Sequence, residues 1–460
     1  MGTENKQMDF TEGSIMRKMI LFATPIFLGN LLQSSYQIID SLWVGNLIGA
    51  DALGAVSISA TIIFTILSFI IGINSATLTV LSQRTGANDS EGLTTSLNAF
   101  VFVLGTLSIF LGVAGYILSP YILSWMGTPE SIFPMALNYL RINFIGIIFL
   151  FGYNFIGTIL RAIGDSKTPL RFIFLAVVLN TILDPLFIAG MDLGMEGAAY
   201  ATVVSQGSAF LFGIIYSIIK KGLPFTIPTP PPWPEFKRIF KLGLPSGFSM
   251  MAISGGVLAI MTVVTSFGET VVAGYGAAQR IDSVIMIPAT TLGSAITSMA
   301  GQNIGADKWH RVSDIAKSGL ILIFSVSLTI GLFVFLSAGL LMRMFVEDQA
   351  TIDFGAAYLR MIAFFYPFLG INFVLNGIVR SSGAMFQVLI LNIISFWVLR
   401  FPLAWAFSSL YEENGIAIGI GLSFVVSSII AAAYYRLGKW RDINIFHDEK
   451  KETDKTGGNE

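Results

Sequence analysis

Long apolar runs punctuated by short polar clusters recur along the whole chain, and none shows the strict alternation of a half-buried strand. A helix needs about 20 mostly apolar residues to cross a ~30 Å hydrocarbon core. Runs of that length fall at 18–43, 54–81, 94–118, 135–161, 169–189, 197–219, 240–266, 273–300, 314–341, 355–379, 386–408 and 415–437. The pattern predicts an all-α integral membrane protein with twelve transmembrane helices. A closed barrel is the other way to span, but it reads as short alternating segments rather than continuous apolar runs. The first run is too long for a secretory signal and lacks a small-residue cleavage site, so it is expected to remain as the first helix.

Basic side chains mark alternate ends of these spans. Arg17 and Lys18, Arg84, Arg161 with Lys167 and Arg171, Lys220 to Lys241, Lys308 with Arg311 and Lys317, Arg380, and Arg436 to Arg441 all fall on one side. The opposite ends carry Asp51, Glu130, Asp192, Glu196, Glu269, Glu347, Asp348, Glu412 and Glu413, with Arg343 as the exception. The positive-inside rule then places both termini in the cytoplasm of a plasma (inner) membrane protein. Expected boundaries are a cytoplasmic N-terminus at 1–16, a first lobe at 17–219, a cytoplasmic linker at 220–239, a second lobe at 240–437 and a tail at 438–460. The linker carries six prolines in Pro224 to Pro234. At about 3.1 Å per residue in extended form, it makes a strap between two bundles.

Composition removes several function classes. The 460 residues are 54% hydrophobic and only 12% charged, with 27 basic against 28 acidic side chains, so no one-signed field is available for nucleic acid. With no cysteine there is no disulfide framework, thiolate metal site or cysteine nucleophile. Only two histidines are present, His310 and His447. Any proton relay must therefore be built from carboxylates, tyrosines and amides.

The two sides of the strap repeat each other. Gln83-Arg-Thr-Gly-Ala-Asn reads against Gln302-Asn-Ile-Gly-Ala-Asp, Tyr139-Leu-Arg against Tyr358-Leu-Arg, Arg161-Ala-Ile-Gly against Arg380-Ser-Ser-Gly, Pro25 against Pro245 and Pro185 against Pro402, at an offset near 217–222 residues. Six helices per half is an even number, so the repeat is parallel, as in many secondary transporters. The halves differ in their charges. Asp40 falls opposite Ile260, Asp184 opposite Phe401 and Asn180 opposite Trp397, so the first half holds carboxylates where the second is apolar.

A carboxylate inside the hydrocarbon costs several kcal/mol and reads by default as an ion or proton site. A rise of about 1.5 Å per residue puts Asp40, Asp184, Tyr139 and Thr202 at one level, in the outer half of the first bundle. Asn180 shares a helix face with Asp184, and Asn154 sits deeper. Two chemistries fit. A carboxylate pair in a low-dielectric site holds a proton and releases it when wetted. Alternatively, Asp40, Asn180, Asp184 and Thr202 offer the hard oxygen ligands that Na⁺ prefers. Neither aspartate lies in a Gly-x-Gly-Asp setting, so an intramembrane protease is not expected. Gln33, Tyr36, Gln37 and Asp40 form a polar stripe on the first helix, and Pro25 gives that helix a place to bend. In the second half Gln279, Arg280 and Asp282, Asn372 with Asn376, and an adaptable methionine set that includes Met286 are candidate cavity residues.

Taken in order, Asp40-x-x-Trp-Val-Gly, Arg161-Ala-Ile-Gly-Asp, Asn180-Thr-Ile-Leu-Asp184-Pro185 and Gly194-Met-Glu-Gly-Ala-Ala-Tyr-Ala-Thr202 resemble the multidrug and toxic compound extrusion (MATE) family over roughly residues 15–440. The resemblance is closest to its prokaryotic branch with DNA-damage-inducible and archaeal members. It implies two pseudo-symmetric six-helix lobes in a V, and an antiporter, not an enzyme, that exports lipophilic or cationic small molecules in exchange for H⁺ or Na⁺. No cofactor is implied beyond the coupling ion, and the protein is expected to be a monomer in the bilayer. The resemblance places ion coupling at Asp40, Tyr139, Asn154, Asn180, Asp184 and Thr202. Relatives with Na⁺ in the second lobe use carboxylates in helices 7 and 10, where this chain has no acid and carries Asn372 and Asn376. The alternative, a lipid-linked precursor flippase of the same superfamily, calls for a cationic cavity, for which Arg280 is the main candidate.

Overall fold

A computed structural model describes residues 7–226 and 229–446; His447 and the tail beyond it lie outside the described residues. Among the described residues every regular element is helical. The first half contains α1 (Ile15–Leu47), α2 (Ala50–Gly86), α3 (Ser90–Trp125), α4 (Phe133–Ile145), α5 (Ile147–Ala162), α6 (Lys167–Pro185) and α7 (Gly194–Lys221). The second contains α8 (Trp233–Val264), α9 (Glu269–Ile285), α10 (Ile287–Gly305), α11 (Trp309–Arg343), α12 (Gln349–Ala363), α13 (Tyr366–Ser381), α14 (Met385–Ile393), α15 (Arg400–Tyr411) and α16 (Asn414–Leu437). Among the described residues ten helical stretches, with α9–α10 and α14–α15 each counted as one, are long and apolar enough to cross a bilayer. The pairs α4–α5 and α12–α13, bent by 49° and 52°, bring the number to twelve when each counts as one crossing. The chain is thus a multi-pass membrane protein with the expected helix count.

Burial is inverted relative to a soluble fold. Phe110, Ile117, Leu336 and Leu340 are exposed, while the interior holds fully buried serines and threonines such as Ser59, Thr77, Ser205 and Ser423. Apolar side chains facing lipid lose nothing, whereas polar ones need an interior partner.

The duplication is visible in local geometry. The turns after α2 and α10 place Asn88 at φ 54° and Asp307 at φ 58°, a left-handed conformation that Asn and Asp tolerate better than other side chains. Each half also carries one π-helical segment near its repeated proline, Leu186–Gly190 after Pro185 and Ile394–Leu399 before Pro402. The bend between α4 and α5 falls at Gly146, where an added Cβ would sit 2.4 Å from Val203 of α7.

The chain divides into two compact units, and the division falls inside helices rather than at the strap. Asp9–Ala23 belongs with the unit that resumes at Lys241, while Thr24–Phe240 makes up the bulk of the first. This differs from the expected boundaries at residues 17 and 240. In the second unit Phe10, Met19 and Phe22 are fully buried, Asn303 Nδ2 donates to the Phe10 carbonyl at 3.0 Å, and Arg311 Nη2 donates to the carbonyls of Phe10, Glu12 and Gly13 at 3.1 Å each. In the first unit Glu235, from the start of α8, accepts from Ser96 Oγ at 3.2 Å and Arg84 Nη2 at 3.4 Å and pairs with Arg238 at 2.5 Å. Buried charges and backbone carbonyls need partners, and these segments join the unit that supplies them.

Candidate functional site

In the first unit a clamp at one end of the bundle fixes the helices that carry the predicted site. Asp165, in the turn between α5 and α6, pairs with Lys221 Nζ at 2.7 Å and accepts from the backbone amides of Lys167 at 3.1 Å and Thr168 at 3.0 Å and from Thr168 Oγ1 at 2.7 Å. Burial alone would raise the Asp165 carboxyl, but its bonds from Lys221 and Thr168 outweigh that and hold it below the usual carboxylate range. The start of α6 is thereby tied to the end of α7.

The site itself lies further along these helices. Asp184 is fully buried on α6, and its Oδ1 accepts from Asn180 Nδ2 at 2.9 Å, as the i, i+4 spacing predicts. Asp40 on α1 is 7% exposed and within electrostatic range of Asp184. Tyr139 on α4 is buried and interacts with both carboxylates and with Tyr36 of α1. Thr202 on α7 lies beside the Tyr36 hydroxyl. Among the described residues neither carboxylate has an ion pair within 4.0 Å. Five buried oxygens here have no hydrogen-bond partner: Asp40 Oδ1, Asn180 Oδ1, Asp184 Oδ2, Thr202 Oγ1 and Tyr36 Oη. Three of those five can only accept a bond when the carboxylates are ionised. Such a set is short of donors, so its chemistry is to take up a proton or a hard cation.

The structure therefore brings Asp40, Tyr139, Asn180, Asp184 and Thr202 together, with Tyr36, which the sequence placed in a cavity stripe, completing the group. Asn154 on α5 is half-buried and turns its amide onto the Leu150 carbonyl of its own helix at 2.8 Å. Gln33 is half-buried and Gln37 exposed. Pro25 sits inside α1, which runs unbroken past it.

In the second unit Arg280 is exposed. Asn372 is buried and accepts from Asn376 Nδ2 at 2.6 Å; Asn376 Nδ2 also donates to Asn392 Oδ1 at 3.4 Å, and Asn392 Nδ2 donates to Ser249 Oγ at 2.6 Å. Met286 lines a cavity with Tyr275, Gln279, Asp282, Tyr358, Tyr366 and Arg400. Asp282 on α9 accepts from Tyr358 Oη at 3.2 Å and Tyr366 Oη at 2.5 Å, so Tyr358 faces a carboxylate as its repeat partner Tyr139 does. Arg400 was missed in the sequence. It is 5% exposed, one residue before the position matched to Asp184, while Phe401 is only half-buried and Trp397 is exposed. The expectation that the second half is apolar where the first half carries Asp184 is thus corrected. The π-helical turn at Ile394–Leu399 adds a residue to the helix ahead of Pro402, so the inward positions become Phe396 and Arg400. The sequence signal was an arginine within a span, two residues before the repeated proline.

The MatE family model matches residues 25–186 and 245–406, one copy in each half. The chain is 54% identical over 444 residues to a protein of Bacillus subtilis named Probable multidrug resistance protein YpnP, covering 96% of this chain and all of the relative. It is 30% identical over 438 residues to Probable multidrug resistance protein YoeA of the same organism, covering 92% and 94%. A solved structure described as an outward-facing conformation of a multidrug resistance MATE family transporter of the MOP superfamily shares the fold, with a TM-score of 0.88 at 24% identity over 95% of this chain and 98% of that one.

Proposed function

Because the chain belongs to the MatE family of membrane transporters, we propose that it is a multidrug efflux antiporter that exports lipophilic or cationic small molecules in exchange for H⁺ or Na⁺ across the plasma membrane. Its relatives' names point to drug resistance as the physiological output. The observation that carries the coupling is the buried set of unpartnered oxygens around Asp40 and Asp184, a group with an unmet demand for positive charge. Uptake of one H⁺ or Na⁺ there answers that demand and draws α1 toward α6 and α7. Occupancy by the ion and by the drug are then mutually exclusive, with Pro25 as the point where α1 gives way. No covalent chemistry is involved. The relatives' names, which speak of multidrug resistance, favour this reading over the flippase alternative.

The test is uptake of a cationic dye into inverted vesicles, run with an imposed pH gradient and then with a Na⁺ gradient. One of the two is expected to drive accumulation, and Asp40→Asn at equal expression is expected to abolish it. Full resistance to the dye in efflux-deficient cells carrying Asp40→Asn would remove the coupling role.

A further inference from the structure

The second unit holds a buried base whose bonds are not accounted for. Arg400 opens α15 near the middle of its span, where a charge is expensive and seldom structural alone. Its guanidinium lies 4.0 Å from the Phe396 ring centre and 4.8 Å from that of Phe424, which fixes its plane by stacking. Nε and Nη2 are both buried with no hydrogen-bond partner. These two donors form the side edge of the guanidinium fork, the edge that grips two oxygens at once. Arg400 is among the residues that line the cavity named above, of about 40 Å³, which has room for about three waters.

The obvious partner does not reach it. Both oxygens of Asp282 accept tyrosine hydroxyls, and no ion pair within 4.0 Å joins it to Arg400. Gln279 gives its amide to Tyr275 Oη at 2.6 Å. What the cavity lacks is an acceptor with two parallel lone-pair sites. A carboxylate supplies that geometry in the space of three heavy atoms. Its single charge suits a cavity where Asp282 already offsets part of the arginine's field, which disfavours a doubly charged phosphate. Half-buried Val257, Gln279 and Met286 leave a path for the rest of a molecule.

We propose that the Nε and Nη2 edge of Arg400 binds the carboxylate group of a small organic compound in the second unit's cavity. The inward faces of the two halves are then opposite in polarity: Asp184 with Asn180 takes up a cation, and Arg400 with Phe396 takes up an anion. The proposal goes beyond the coupling reading and does not depend on it, since binding is measured without transport.

The experiment uses the purified full-length protein in detergent with benzoate as the probe, and neutral benzamide and chloride at equal ionic strength as controls. Binding is read by calorimetry and by the shift in melting temperature. Benzoate is expected to bind and to raise the melting temperature, benzamide and chloride are not, and Arg400→Gln is expected to weaken benzoate at least about tenfold, the usual worth of a charge-assisted bond. Should Arg400→Gln fail to fold, Arg400→Lys keeps the charge without the fork and is expected to lose roughly tenfold. Benzoate affinity unchanged in either variant, chloride binding as strongly as benzoate, or no benzoate binding because only water fills the cavity, would each overturn the assignment.

Discussion

Replacing Asp184 by Asn separates a coupling role from a structural one, because the two predict opposite effects on stability. The substitution is nearly isosteric, and the amide oxygen can still accept from Asn180 Nδ2, now at 2.9 Å. What it removes is a fully buried carboxylate with an unpartnered Oδ2, lying within range of a second acid and without a neutralising base. A buried polar atom left unsatisfied costs about 1–3 kcal/mol, more when charged. The new amide NH₂ is itself unpartnered at that position, so the net gain is set at about 1–2 kcal/mol. For a chain of this length, 1 kcal/mol moves the melting temperature by roughly 2 °C or less. Asp184→Asn is therefore expected to melt about 1–3 °C higher in detergent, while gradient-driven uptake in proteoliposomes falls to background. Such an opposition of stability and activity is characteristic of functional sites. If Asp184→Asn melted several degrees lower and still transported, the carboxylate would be a packing element and the argument from unmet bonds would fail.

Two further substitutions probe the scaffold. Asp165→Ala takes the carboxylate at 2.7 Å away from the Lys221 ammonium, whose side chain is 6% exposed, and is expected to cost ~3–5 kcal/mol by chemical unfolding in detergent. Because the Asp165 carboxyl is held low by Lys221 and Thr168 against the effect of burial, its contribution is complete above the unfolded value of about 3.9 and is lost as pH falls through the lower folded value. The gap between wild type and Asp165→Asn should therefore stay constant from neutral pH down to about pH 5 and close only in stronger acid; a gap that closes between pH 7 and 5 would contradict the clamp. Gly419→Ala brings a Cβ within 2.4–2.5 Å of Ala404 backbone atoms and the Leu403 carbonyl, which must push α16 off α15. A loss of about 1–3 kcal/mol is expected from the melting curve, and an unchanged melting temperature would show that the two helices separate freely.

Much of this protein is legible in one dimension. Span number and the duplication follow from hydropathy and from repeated words such as Tyr139-Leu-Arg and Tyr358-Leu-Arg, because membrane length and turn chemistry act locally on sequence. The common level of Asp40, Tyr139, Asp184 and Thr202 follows as well, since the rise per residue of a helix is nearly constant. Asn180 with Asp184 needed only the i, i+4 rule. Azimuth is a different matter. Which way Asn154, Gln37 and Arg280 point depends on neighbouring helices that periodicity does not name. The partnership of residues 9–23 with the second unit rests on Phe10 and Arg311, about 300 residues apart, and no local pattern records it. Arg400 is the sharpest case. A single π-helical turn shifts the phase of its helix by one residue, and pairwise matching of the two halves reads straight through that shift. The sequence by itself determined that this is a duplicated membrane transporter with acids at one depth of its first half. Tertiary structure decided that the matching place in the second half holds a base, because only hydrogen-bond geometry sets the phase at which a helix presents its side chains.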